Sequence, residues 1–226
     1  MSVGFKNAVY EQFARIGKAV ASPKRLELLD LLCQGERTVE VLAREAGLSV
    51  ANASQHLQVL RAARLVDAEK RGLFAVYRLA DRTVCDFFQA MKTLAEDRLA
   101  EVERIVREFM EAHPSLEPVD RDTLREQVLC GAVTLLDVRP REEYNAGHLP
   151  RALCVPLDEL EDYLDRLPKD QDIVAYCRGR YCVLAAQAVE MLKARGLRAF
   201  RMEDGVHEWR SYGFSIEQEG ARVSER

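Results

Sequence analysis

DIVAYCRGRYCVLAAQAVEMLKARG, from Asp172 to Gly196, is the stretch whose reading decides the fold. A short apolar run, Ile173 to Tyr176, stops at Cys177. Six residues, Cys177 to Cys182, then lead into a segment whose apolar residues recur at helical spacing. This pattern predicts a buried strand, a tight loop and an amphipathic helix. A cysteine at the head of such a loop faces backbone N–H groups and the positive end of a helix dipole, with Arg178 and Arg180 beside it. Both effects favour the thiolate, and such settings lower a cysteine pKa from about 8.5 to roughly 3.5–7.5. Cys177 is the candidate nucleophile.

Loop length narrows the chemistry. A phosphatase-type loop needs an arginine six positions after its cysteine, and that position is Val183. The second cysteine lies five positions on, so the redox CxxC spacing is absent. Zinc takes about four ligands at characteristic spacing, and no His or Cys pair supplies the remainder, so no metal site is expected. What remains is a loop able to carry a sulfur atom on Cys177 as a persulfide.

The flanking segments agree. LLDVRPREEYNAGHLPRALCVPLDEL (Leu135 to Leu160) resembles the rhodanese pattern through Asp137, Arg139, Glu143, Tyr144, Gly147, His148 and Leu149, and EDGVHEWRSYG (Glu203 to Gly213) resembles its closing motif. The resemblance implies an α/β domain with a central parallel sheet and sulfurtransferase activity. It makes Cys177 the catalytic residue and Arg178, Gly179, Arg180, Tyr181 and Cys182 the substrate-binding loop. Asp137 and Arg139 support that loop, and His148 stabilises a turn. Two residues depart from the pattern. Arg151 stands where glycine is common, on what reads as a tolerant surface turn. Cys182 reads either as a resolving thiol or as a small buried residue at the helix start, and the sequence leaves both open.

At 226 residues, 48% hydrophobic and 31% charged, the chain suits two globular domains. It has no apolar run of about 18 residues and no signal-peptide core, so a cytoplasmic protein with no membrane contact is expected. Six cysteines without framework spacing then read as thiols, and Cys130 and Cys154 as core. HPSLEP (His113 to Pro118) marks a stiff connection. The expected domains are 1–113 and 119–226, with a linker at 114–118. Net charge is -4, so nucleic-acid binding would rest on local basic clusters.

Such clusters occur in the first half. SPKRLELLDLLCQGE (Ser22 to Glu36) opens with an N-cap serine and a proline at the first helical position, with Leu26, Leu29 and Cys33 as its apolar face and Leu28 and Leu32 beside it. Thr38 caps a second helix with Val41, Leu42 and Ala46 inward. Gly47 closes that helix, and Ser49 caps the next. Two short helices joined by a glycine-containing turn form a helix-turn-helix. In the third helix Ala53, Leu57 and Leu60 face inward, leaving Ser49, Asn52, Ser54, Gln55, His56 and Gln58 as the DNA-reading set; amide side chains suit adenine edges. VDAEKRGLFAVYRLA then predicts a hairpin wing in which Lys70, Arg71 and Arg78 meet phosphates. PKRLELLDLL, LAREAGLS and SQHLQVLRAARLV resemble the ArsR family of winged-helix repressors, which implies a homodimer on operator DNA.

The apolar positions Phe87, Phe88, Met91, Leu94, Leu99, Val102, Ile105, Val106, Phe109 and Met110 predict one helix of about seven turns, more than one small domain can cover. Phe5, Val9, Phe13, Ile16 and Val20 predict a similar N-terminal stripe, also for a partner. Some ArsR relatives sense persulfides through a cysteine pair on the second and last helices. Cys33 falls late for that pattern and reads, like Cys85, as a core or surface thiol. Together these readings give a two-domain chain: a mainly α winged helix-turn-helix followed by an α/β rhodanese-like domain without cofactor. The expected function is a sulfur-responsive repressor whose donor is thiosulfate, a polysulfide or a persulfide. The alternative is a sulfurtransferase in which the first domain dimerises or targets.

Overall fold

Where the sequence alternates between cap residues and apolar periodicity, the computed structural model has a helix at each expected place. It describes residues 2–113, 116 and 121–218. The expected linker, apart from Leu116, lies outside them. Contacts divide the chain into two units, Met1–Ala100 and Glu101–Arg226.

The first unit runs α1 (Ser2–Val20), α2 (Pro23–Cys33), β1 (Arg37–Thr38), α3 (Val39–Glu45), α4 (Val50–Ala62), β2 (Val66–Arg71), β3 (Phe74–Leu79) and α5 (Arg82–Arg98). The strands form an antiparallel sheet in the order β1-β3-β2. In α2 the buried residues are Leu28, Leu29, Leu31 and Leu32, with Leu26 and Cys33 packed against them. Leu31 is the one buried residue beyond the expected face, because α1, α4 and α5 all approach α2. Ala53, Leu57 and Leu60 of α4 are buried as the spacing predicts. The Thr38 hydroxyl accepts from Val41 N at 3.4 Å and Ser49 Oγ from Asn52 N at 3.3 Å, so both caps form. Ser22 occupies the N-cap without a side-chain bond; Pro23 at the first position fixes that entry instead.

The expected seven-turn helix is two helices. After α5, Leu99 adopts an extended backbone (φ -111°, ψ 96°) before α6 (Ala100–Ala112) begins. The apolar stripe serves two cores. Val84, Cys85, Phe88 and Met91 pack into the first unit, whereas Phe109 and Met110 pack into the second. No single helix register serves both.

The second unit continues with α7 (Arg121–Cys130), β4 (Thr134–Asp137), α8 (Arg141–Ala146), β5 (Leu153–Cys154), α9 (Leu160–Tyr163), β6 (Ile173–Tyr176), α10 (Leu184–Ala194), β7 (Ala199–Arg201) and α11 (Val206–Ser211). Its sheet is parallel, in the order β5-β4-β6-β7. Every residue of β6 is buried, as expected for a central parallel strand covered on both faces. One cluster, with Leu136, Val155, Ile173 and Ala175, fills one side; another, with Leu135, Leu149, Val174, Tyr176 and Trp209, fills the other. The C-terminal end of β6 therefore presents Cys177 at the edge of a rigid sheet, the usual place for a site in an open α/β fold.

Candidate functional site

The cysteine loop is built from four elements. Tyr176, the last residue of β6, donates its hydroxyl to Asp137 Oδ2 at 2.5 Å and accepts from Leu149 N at 3.1 Å. Burial and the neighbouring Asp137 carboxylate push the phenol further from ionising, so it stays a donor. Asp137 also accepts from Arg139 N at 3.1 Å and pairs with the Arg139 guanidinium at 2.5 Å. Arg139 in turn donates to Gly147 O at 2.8 Å. These groups are wholly buried and mutually satisfied, which ties the ends of β4 and β6 to the turn before Leu149.

Glu143 of α8 joins this network to the loop. Its carboxylate lies 3.8 Å from Arg139 Nη1 and accepts from Arg178 at 2.5 Å and 3.0 Å. Arg178 thereby braces the loop against α8, since a guanidinium pairs strongly with a buried carboxylate. Arg180 is partly exposed, its Nε 4.0 Å from Glu203. Tyr181 and Val183 are exposed at the loop's rim. Gly179 has φ 120°, a conformation closed to other residues. Gly205 is packed on the loop backbone: a Cβ there would lie 2.8 Å from the Arg178 carbonyl carbon and 2.9 Å from Cys177 O. Its N–H donates to Glu208 at 2.9 Å.

Cys177 is 1% exposed, with its sulfur 3.5 Å from Cys182 O. Burial pushes its thiol up, as do a hydrogen bond with the Cys182 side chain and the charge there; the Ala185 N–H and Arg201 oppose this. Cys182 is half-buried and lowered to about 6, chiefly by the hydrogen bond from Cys177, against burial, with help from the N–H groups of Arg178 and Leu184 and from the Arg178 charge. Burial thus disfavours ionisation at Cys177, while the hydrogen bonds that reach Cys182 favour it there.

Arg201 went unnoticed in the sequence. It ends β7 buried, donates to Arg180 O at 2.5 Å and lies 3.6 Å from Met110 Sδ of α6, and its Nε has no hydrogen-bond partner among the described residues. A lone arginine on a short strand carries no sequence signal for this role. Glu143 was visible only as a motif residue, and Tyr176 only as the end of an apolar run. His148 stacks on Tyr144 with ring centroids 3.6 Å apart and contacts Tyr144 O at 2.8 Å, as a turn residue would. Arg151 sits at φ 67°, so its turn carries strain that glycine would avoid. Cys154 is half-buried, and Cys130 is exposed rather than core, since it ends α7 facing away from the sheet cluster.

In the first unit Ser49, Asn52, Gln55 and Gln58 are exposed, and Ser54 and His56 half-buried, along the start and outer face of α4. Leu73 is 95% exposed at the tip of the β2–β3 hairpin. Arg71 pairs with Glu36 and with Glu69, and Arg78 lies within 3.8 Å of Asp67 and 3.7 Å of Glu69. Each wing arginine therefore has carboxylates beside it: Asp67 faces Arg78 across the strands, Glu69 shares β2 with Arg71, and Glu36 approaches from the residue before β1. Cys33 and Cys85, expected to be separate thiols, have their sulfurs within 4.8 Å and hydrogen-bonded, with burial and this contact pushing Cys33 up.

Comparison with known proteins agrees with both halves. Residues 22–68 match the family described as bacterial regulatory protein, arsR family, and residues 120–212 match the rhodanese-like domain. An HTH-type transcriptional regulator of Mycobacterium tuberculosis, Rv0324, is 43% identical over 96% of this chain and 95% of its own. A sulfurtransferase of Allochromatium vinosum is 32% identical over 37% of this chain and 78% of its own. The homodimeric winged helix-turn-helix DNA-binding domain of Mb0332 from Mycobacterium bovis, solved in solution, is 41% identical over 42% of this chain and 87% of that one, with a TM-score of 0.40. No helix among the described residues is long and apolar enough to cross a membrane. The chain belongs to the ArsR family of winged helix-turn-helix DNA-binding regulators, and carries a rhodanese-like domain behind its DNA-binding half.

Proposed function

We propose that this regulator is a sulfur-responsive repressor that forms a persulfide on Cys177. The observation that carries the reading is the intact two-cysteine loop: a cysteine at the end of β6, clamped by Glu143, Gly205 and Arg201, with its sulfur 3.5 Å from the carbonyl oxygen of Cys182. As Cys177 attacks the outer sulfur of thiosulfate, a polysulfide or a persulfide, its proton passes by way of Cys182 to solvent, which leaves Cys182 a thiolate again. Sulfite, a shortened polysulfide or a thiolate leaves, according to the donor, and the sulfane sulfur stays on Cys177. Backbone N–H groups and the buried Arg201 charge stabilise the anion.

The DNA-binding half acts as a homodimer in this reading. Phe5, Phe13, Phe87 and Leu94 are exposed along α1 and α5, and the Mycobacterium bovis domain is homodimeric. Two copies of α4 would then address half-sites about 34–36 Å apart. Moving such a dimer from mostly bound to mostly free requires the sulfur state to favour one conformation by about 5.5 kcal/mol. Operator titrations with untreated protein, polysulfide-treated protein and Cys177→Ser test this. Affinity should change on treatment in the wild type alone, and equal affinity throughout would overturn it. Similarity to the Allochromatium vinosum sulfurtransferase favours a second reading, a sulfurtransferase targeted by its first domain. Turnover of thiosulfate to a thiol without operator binding would establish that one.

A further inference from the structure

We propose that Cys182 is the resolving thiol of the loop, converting a Cys177 persulfide into a Cys177–Cys182 disulfide and releasing hydrosulfide. This rests on the reading of Cys177 as the sulfur acceptor. Two features of the loop lead to it. Cys177 is 1% exposed, so a thiol from solution reaches only the outer sulfur of its persulfide. Cys182 is half-buried, and the Cys177 sulfur lies 3.5 Å from its carbonyl oxygen within the same short loop, so its thiol is the one among the described residues placed beside the inner sulfur.

The step balances without an added oxidant. The Cys182 thiolate attacks Cys177 Sγ, a Cys182–Cys177 bond forms, the bond to the outer sulfur breaks, and hydrosulfide departs with the electron pair. The two cysteines are oxidised together and the sulfane sulfur is reduced to sulfide. A low-molecular-weight thiol resets the loop by exchange, two such thiols becoming one disulfide. The charge needed on Cys182 is held there by the Arg178 and Leu184 N–H groups and by Arg178, which Glu143 fixes in place.

Closure has a mechanical consequence within the same unit. The closed ring spans Arg180, whose carbonyl rests on Arg201, and Arg201 touches Met110 of α6. Drawing the two cysteines together pulls on that chain of contacts. A persulfide that leaves the loop open does not. The regulatory state is therefore the disulfide, and the persulfide is its precursor.

The test uses the full chain treated with inorganic polysulfide, with released sulfide measured and cysteine states mapped by peptide mass spectrometry. Wild type should yield a Cys177–Cys182 disulfide and one sulfide per chain. Cys182→Ser should hold a persulfide on Cys177 and release little sulfide, and Cys177→Ser should do neither. Cys182→Ala serves as a second variant, and untreated operator binding confirms that each variant is folded. A stable persulfide in wild type, released no faster than in Cys182→Ser, would overturn the resolving step while leaving Cys177 as acceptor. No sulfur adduct and no disulfide in either protein would overturn both readings.

Discussion

Two arginines, Arg178 in the cysteine loop and Arg71 on the wing, have the same sequence rationale: a cation placed to meet an anion. In the folded chain each has a carboxylate instead, and the two pairs differ in burial. Arg178 and Glu143 have side chains 13% and 0% exposed, whereas Arg71 and Glu36 are 46% and 43% exposed. The first pair has no solvent to return to, so breaking it leaves a charge stranded in the interior. The second is screened and can exchange its carboxylate for a phosphate at little cost. Burial makes one arginine a fixed strut and leaves the other a reserve of charge.

Breaking the buried pair gives the largest expected effect. Glu143→Ala removes the partner of both Arg178 and Arg139 and should destabilise the chain by about 3–5 kcal/mol, read from the denaturation midpoint. Gly205→Ala strikes the same loop through its backbone. Overpacking should cost about 1–3 kcal/mol and lower polysulfide reactivity in a labelling assay, since the methyl group meets main-chain atoms at 2.8–2.9 Å.

At the DNA face, Gln55→Ala should lose about 1–3 kcal/mol at one base position and little elsewhere, measured across an operator library. Equal losses on all sequences would remove its reading role. The wing gives a smaller effect. Lys70→Ala should flatten the salt dependence of operator binding by about one ion, and Arg71→Ala by less, because Arg71 must first release Glu36 and Glu69. Equal slopes would show that the exposed pair opens freely on DNA.

The loop's pH profile sharpens the comparison further. The Cys182 pKa is lowered to about 6, so its thiolate is present above that pH and lost below it. Iodoacetamide labelling of Cys182 should rise with a midpoint near pH 6. In Cys177→Ala the largest lowering cause is gone and the midpoint should move up. An unchanged midpoint would mean that Cys177 does not lower Cys182.

Much of this was legible beforehand because it is local. Thr38 and Ser49 cap helices through N–H groups three residues away, and Ala53, Leu57 and Leu60 face inward because a helix repeats every 3.6 residues. The end of β6 at Cys177 follows from four apolar residues meeting a polar loop. The pairing of Arg71 with Glu36 was not legible, because Glu36 precedes β1 and reaches Arg71 only through tertiary placement. Arg201 was missed because nothing near it in sequence announces a buried guanidinium beneath a loop.

The sequence by itself determined the order of elements, the winged-helix pattern, the rhodanese-like strand, loop and helix, and the cysteine at the loop's head, because periodicity, caps and turns act over a few residues. Tertiary structure alone decided which carboxylate each arginine meets, that Leu99 divides the apolar stripe between two cores, that Cys33 lies beside Cys85, and that the Cys177 sulfur is buried against the Cys182 carbonyl. Those outcomes depend on burial and on which segments the packed cores bring together, and neither is written in any local stretch of the chain.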